Sequence, residues 1–220
     1  MAELPNKFIF RLAVFSHKMQ IENFRHYVNN MSLNFSKDAE NLKKEYEKEI
    51  DGITDAEHIE YIDDTYSEQY ELLTKFQPLI YKKSTLVSLY TYLEHSLNNA
   101  CNSLHTLYKT KASITDLRGD GIVRAKLYLS IFFDFNFGDA SSRWPFILEF
   151  NKIRNCIVHS DSDITAMNNE TTLRNIVTST KGLSLIDNKF IDIDDEYILC
   201  CIDNIENFFD WVFNNEIKVA

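Results

Sequence analysis

Five glycines and three prolines are all that punctuate this chain of 220 residues. An all-β fold turns every few residues and draws heavily on both residue types, so their scarcity restricts the chain to a few long elements, which means helices. Hydrophobic residues make up 45% of the sequence, enough to cover a sizeable core over this length. The fold class expected from this pattern is all-α, a helical bundle.

Apolar periodicity places the elements. Phe8, Leu12, Phe15, Met19 and Phe24 recur at near-helical spacing across residues 5–30, with Pro5 suited to an early helical position. A charged segment, SKDAENLKKEYEKEI, starts a further helix at Ser36, with Glu40 four residues before Lys44, and Gly52 ends it. Thr54, followed three residues later by Glu57, reads as a capping box opening the next helix, and Pro78 is expected to break or kink the chain. Leu86, Leu89, Tyr90, Leu93, Leu97, Cys101 and Leu104 then mark the apolar side of a long helix that fades near Thr110. Helices follow at Gly121 to Phe133 and at Arg143 to His159, the second with Pro145 in its first turn and Ser142 as its cap. LSLIDNKFIDI alternates apolar and polar residues around Asn188 and reads as a small β-hairpin before the last helix, whose start is acidic at Asp194, Asp195 and Glu196.

Several function classes find no footing. MAELPNKFIF carries Glu3 and Lys7 with no apolar run and cleavage site, and no stretch approaches the ~20 apolar residues of a membrane span. The expected setting is cytoplasmic, with no membrane partner. Cys101, Cys156, Cys200 and Cys201 form no CxxC, and the histidines show no HxxxH or HExxH spacing, so no metal site and no cofactor are expected. GDG at 119–121 lacks the pattern of a phosphate-binding loop.

The net charge of −10 argues against a general nucleic-acid coat, yet the charge is uneven. Residues 1–103 carry 11 basic and 16 acidic residues, 104–160 carry 8 and 5, and 161–220 carry 4 and 12. The one basic block includes Arg118, Arg124, Arg143 and Lys152, the candidate RNA-binding residues, set beside solvated scatter as the plainer reading.

Inside that block lies EFNKIRNCIVHS. On a helix Asn155 and His159 share a face, and Arg154, about 100° away, has the length to curl back. A guanidinium, an amide and an imidazole then converge at the end of one helix. Arg holds phosphate charge, His moves a proton near neutral pH, and Asn orients either. Taken alone, an Arg and a His five residues apart are equally an ordinary core or surface pair. Glu94, on the long helix, is either a supporting candidate that orients the pair or a plain helix polar position.

The stretch IRNCIVHS resembles the Arg–polar–spacer–His signature of the HEPN superfamily. YLEHSLNNAC, DLRGDGIVRAKLYLS and WPFILEFNKIRNCIVHS resemble that family's core helices, so the likeness covers residues 80–160 and extends more loosely to the hairpin and the last helix. The resemblance implies a HEPN-type bundle over residues 76–220, with residues 1–75 a helical extension of the same bundle or its interface. It implies a homodimer with two motifs facing one cleft, RNA as substrate, and metal-independent cleavage by 2′-hydroxyl attack, as in defence or toxin–antitoxin effectors. An antitoxin or regulatory protein is then a further partner. On this reading Arg154 binds the scissile phosphate, His159 handles a proton or the ribose, and Asn155 fills the family's polar position. The alternatives are a non-catalytic HEPN module that binds a partner protein or a nucleotide, and an unrelated helical adaptor.

Overall fold

The molecule is organised around a 32-residue helix, α3 (Gln77–Tyr108), whose Leu86, Leu89, Leu93, Leu97, Cys101 and Leu104 are all buried. These positions follow the 3–4 residue spacing of one helical face, so the sequence pattern and the buried side coincide. The computed structural model describes residues 3–214, with side chains over residues 16–214 apart from residue 140, and is mostly helical. The apolar positions Phe8, Leu12 and Phe15 lie outside the described side chains.

Against α3 pack α1 (Glu3–Ile50), α4 (Gly121–Phe133), α5 (Trp144–Ser160) and α7 (Asp195–Asn214). α6 (Glu170–Ser179) packs on α5, and an antiparallel hairpin follows, with β1 (Leu183–Ile186) against α6 and β2 (Phe190–Ile193) against α3. The hairpin sits where the alternating pattern placed it, and its turn holds Asp187 and Asn188 at φ 51° and 58°, the left-handed region that Asp and Asn tolerate. Gly182 just before β1 has φ 79°, and a Cβ there would lie 2.7 Å from the Tyr197 backbone nitrogen, so only glycine fits. Phe208, Phe209 and Trp211 of α7 close one end of the core with Phe135, Phe137 and Trp144 in a chain of edge and tilted ring contacts.

Three boundaries differ from the sequence expectations. Residues 3–50 form a single 48-residue helix rather than two, since nothing between 31 and 35 breaks it: MSLNF holds no Gly or Pro. At about 1.5 Å per residue that helix is roughly 70 Å long. Its first half lies on α7, where Arg25 pairs with Glu206 at 2.8 Å and Asp203 at 3.1 Å. Its second half leaves the bundle and pairs with α2 (Ala56–Glu71). α2 starts after Asp55 with no side-chain cap, so the Thr54–Glu57 capping box does not form. Pro78 does not break the chain. The helical run continues from α2 into α3 through a π-turn at Leu72–Phe76, where Gln77 N–H donates to the Leu72 carbonyl, and this local change in the ladder lies immediately before the proline.

All four cysteines are free thiols, with Cys101, Cys156 and Cys201 buried. Among the described residues no helix is long and apolar enough to cross a membrane.

Candidate functional site

The candidate motif lies in the last two turns of α5, and local chemistry fixes how that helix ends. Asp161 and Ser162 take left-handed φ values of 51° and 75°, and Ser162 N–H donates to the Cys156 carbonyl at 3.2 Å. Lys83 of α3 reaches across and donates to the Asp161 carbonyl at 3.1 Å and to its carboxylate at 2.7 Å. β2 closes over the next residues, with Ile191 N–H on the Ser162 carbonyl at 2.9 Å and Ile164 N–H on the Lys189 carbonyl at 3.1 Å. Asp163 accepts from the Thr165 hydroxyl at 2.6 Å, pairs with Lys189 at 2.9 Å and accepts from Thr165 N–H at 2.9 Å, and these contacts, the hydroxyl first, hold its carboxyl below the usual range. Asp161 and Asp163 therefore cap and tie the loop after the motif.

Within the motif, Arg154 Nη1 donates to Asn155 Oδ1 at 2.9 Å, and Asn155 Nδ2 donates to Asn151 Oδ1 at 3.0 Å. The guanidinium carbon stands 4.9 Å from the Tyr90 ring centre, a cation–π contact from α3. Tyr90 is itself buried and set edge-on to Phe150, ring centres 5.4 Å apart. Burial raises the Tyr90 phenol above its ordinary value, Glu94 raises it further and Arg154 opposes both. Arg154 Nε is buried with no partner, while Nη2 makes no hydrogen bond among the described residues. The side chain is thus held through Nη1 and on one face of its plane, with Nε buried and Nη2 uncommitted.

His159 lies one turn beyond Asn155 on the same face and is exposed. It makes no hydrogen bond or ion pair among the described residues. Arg154 and Asn155 are brought together directly; His159 is placed beside them without a contact. Glu94 sits one turn from Tyr90 on α3, against the start of α4: a Cβ on Gly121 would meet its Oε1 at 3.0 Å. It is near the arginine's aromatic support rather than on the arginine.

The four candidate RNA-binding residues spread out. Arg124 is in the first turn of α4 and pairs with Asp120 at 3.3 Å. Arg118 is exposed in the preceding loop, and Lys152 is half-buried two residues before Arg154. Arg143 precedes α5 at φ 53°, eleven residues from Arg154 and so about 16 Å away along the axis. The motif, Lys152 and the α4 start share one region; Arg143 belongs to the other end.

Two contributors escape a reading of the motif by itself. Tyr90 follows the apolar face of α3 and reads as core, though it also carries the arginine. Asn151 precedes Asn155 by four residues, a spacing that signals a same-face pair. Among the described residues no cluster of three His, Cys, Asp or Glu side chains is arranged to hold a metal ion. Comparison of the chain with protein-family models, with curated proteins and with solved structures finds no match.

Proposed function

We propose that this protein is a metal-independent endoribonuclease of the HEPN type, acting as a homodimer in a defence or toxin–antitoxin setting. The observation that carries the reading is the clamped Arg154 beside an exposed, uncommitted His159 at the end of one helix. A histidine kept only for packing would be buried inside the subunit; this one faces outward from a rigid helix end.

In the proposed reaction the RNA 2′-hydroxyl attacks the adjacent phosphorus, its proton leaves, and the P–O5′ bond breaks to give a 2′,3′-cyclic phosphate and a 5′-hydroxyl. Arg154 offers its uncommitted Nη2 to a non-bridging oxygen, whose charge grows in the transition state. Tyr90 and Asn155 fix the plane of that guanidinium, so little side-chain freedom is lost on binding. His159 exchanges the proton at the 2′- or 5′-oxygen. Lys152 and the α4 start add phosphate attraction to an otherwise acidic surface, so RNA binding should weaken steeply with salt.

The test is wild type against His159→Ala on mixed cellular RNA with EDTA present. Cleavage by wild type alone supports the reading. Cleavage by neither, with both folded and dimeric, refutes it and leaves a non-catalytic module that binds a partner protein or nucleotide.

A further inference from the structure

The arm formed by the second half of α1 and by α2 has its own small interior. Leu42 and Ile62 are buried there but stand apart from the main core, so this two-helix projection is not needed to fill the bundle. Along one side of the arm runs a groove of about 330 Å³, walled by Tyr46, Tyr66 and Tyr70 with Asp63 at its edge. The Tyr46 and Tyr66 rings meet edge-on, centres 5.4 Å apart. Their hydroxyls donate to Asp63 at 2.8 Å and to Glu49 at 2.7 Å, which holds both phenols and both carboxylates in place around the groove.

The chain that follows the first wall of this groove is rich in acid, although Lys43 lines the groove beside Asp63. Between Lys48 and Lys75 there are nine carboxylates and no Lys or Arg. Among the described residues Glu71 pairs with Lys75, and no other carboxylate of that stretch has a cationic partner. Elsewhere several acids are matched, Asp161 with Lys83, Asp163 with Lys189, Glu196 with Lys181 and Glu206 with Arg25, so unpaired carboxylates are densest along this stretch. Lys43, at the rim, pairs only loosely with Glu47 at 4.0 Å. Aromatic faces and fixed carboxylates around a groove attract a cation by its charge and by the ring quadrupole together.

We propose that this arm is a docking surface for an Arg- and Lys-bearing segment of another protein, whose cationic side chains enter the Tyr46–Tyr66–Tyr70 groove beside Asp63. A second copy of this chain, whose Arg118, Arg143 and Lys152 make no ion pair among the described residues, is the alternative that self-association in the test separates. The proposal does not depend on ribonuclease activity, since the arm contains none of the candidate catalytic residues.

The probe is a fluorescein-labelled twelve-residue peptide of alternating Arg and Ala, titrated by anisotropy into the full chain at physiological salt. The arm variant is Asp63→Asn with Tyr70→Ser: Asn can still accept the Tyr46 hydroxyl, and Tyr70 is half exposed. The control, Asp187→Asn with Ile186→Ser, removes one charge and one exposed apolar side chain from the hairpin. Urea melts confirm that both variants fold. The expected result is binding weakened at least tenfold by the arm variant and less than twofold by the control. Equal weakening would mean diffuse attraction to an acidic protein and would overturn the proposal, as would no binding by wild type. Self-association of wild type that the arm variant abolishes would also overturn it, in favour of a second copy.

Discussion

Mild acid should weaken this fold through one buried histidine before the carboxylates titrate. His17 of α1 is 5% exposed, bonded through Nδ1 to the Tyr92 hydroxyl and packed against Phe209 with ring centres 4.2 Å apart. Its Nε2 is buried and has no partner among the described residues, so a second proton there would find neither water nor an acceptor. Burial accordingly lowers its pKa from 6.5 to about 4; Asp210 opposes this in part, and Lys18 adds to it slightly. The folded value lies below the unfolded one, so between about pH 6.5 and 4 the unfolded chain binds the extra proton. Stability is full above that window and falls as pH falls through it. The linkage integral comes to about 1 kcal/mol lost at pH 6 and about 2 kcal/mol at pH 5, relative to pH 7 and above. Urea unfolding at pH 7, 6 and 5 measures this directly, beside His17→Phe. The variant loses the Tyr92 partner and should be less stable at pH 7, but its slope between pH 7 and 5 should flatten. A wild type that changes by less than about 0.5 kcal/mol over that range, or a variant with the same slope, would refute the assignment to His17.

Other perturbations probe the site and its supports. A stability double-mutant cycle of Tyr90→Leu with Arg154→Met should give a coupling of about 1 kcal/mol, whereas Tyr90→Phe, which keeps the ring, should retain most of it; zero coupling would show that the stacking at 4.9 Å does not hold the guanidinium. Lys83→Met removes the clamp on the α5 terminus and should cost about 1 kcal/mol, a modest figure because Asp161 is largely exposed, with faster amide exchange across residues 159–163 as the local readout. Gly182→Ala combines a left-handed φ with a 2.7 Å approach to backbone and should cost roughly 3 kcal/mol in thermal or urea melts. An unchanged melting point would place the hairpin differently against α7.

What the sequence shows of this fold follows how local the deciding interactions are. α4 spans Gly121–Phe133 and the hairpin turns at Asp187 and Asn188, as their patterns predict, because glycine placement and apolar alternation act over a few residues. α1 is harder to read. Its second half is polar, and its partner α2 matches it through two buried residues and two phenol–carboxylate bonds seventeen positions apart. The absence of a break at 31–35 is visible only as the lack of Gly or Pro, a weak signal beside the change in composition at Ser36. Pro78 misleads for a related reason: its cost depends on the turn before it, and the π-turn at 72–76 absorbs it.

The candidate site divides along the same line. Arg154, Asn155 and His159 fall within six residues, and helix geometry alone places Asn155 and His159 on one face. What turns that spacing into a rigid device comes from elsewhere in the chain: Tyr90 under the guanidinium, Lys83 on the helix end, and β2 over the loop that follows. Tyr90 has the burial and spacing of a core residue and Lys83 those of a surface cation, so neither is distinguishable before α3 is laid beside α5. The same contacts explain the asymmetry of the motif. Every support converges on Arg154 and on the backbone after His159, and none on the imidazole itself. A side chain that must bind charge gains from being fixed, because its attraction falls with each degree of freedom it retains. A side chain that must exchange a proton with a moving nucleophile and leaving group needs a rigid base and a free ring. A held arginine and an unheld histidine on one well-anchored helix end fit the phosphodiester chemistry proposed for the pair.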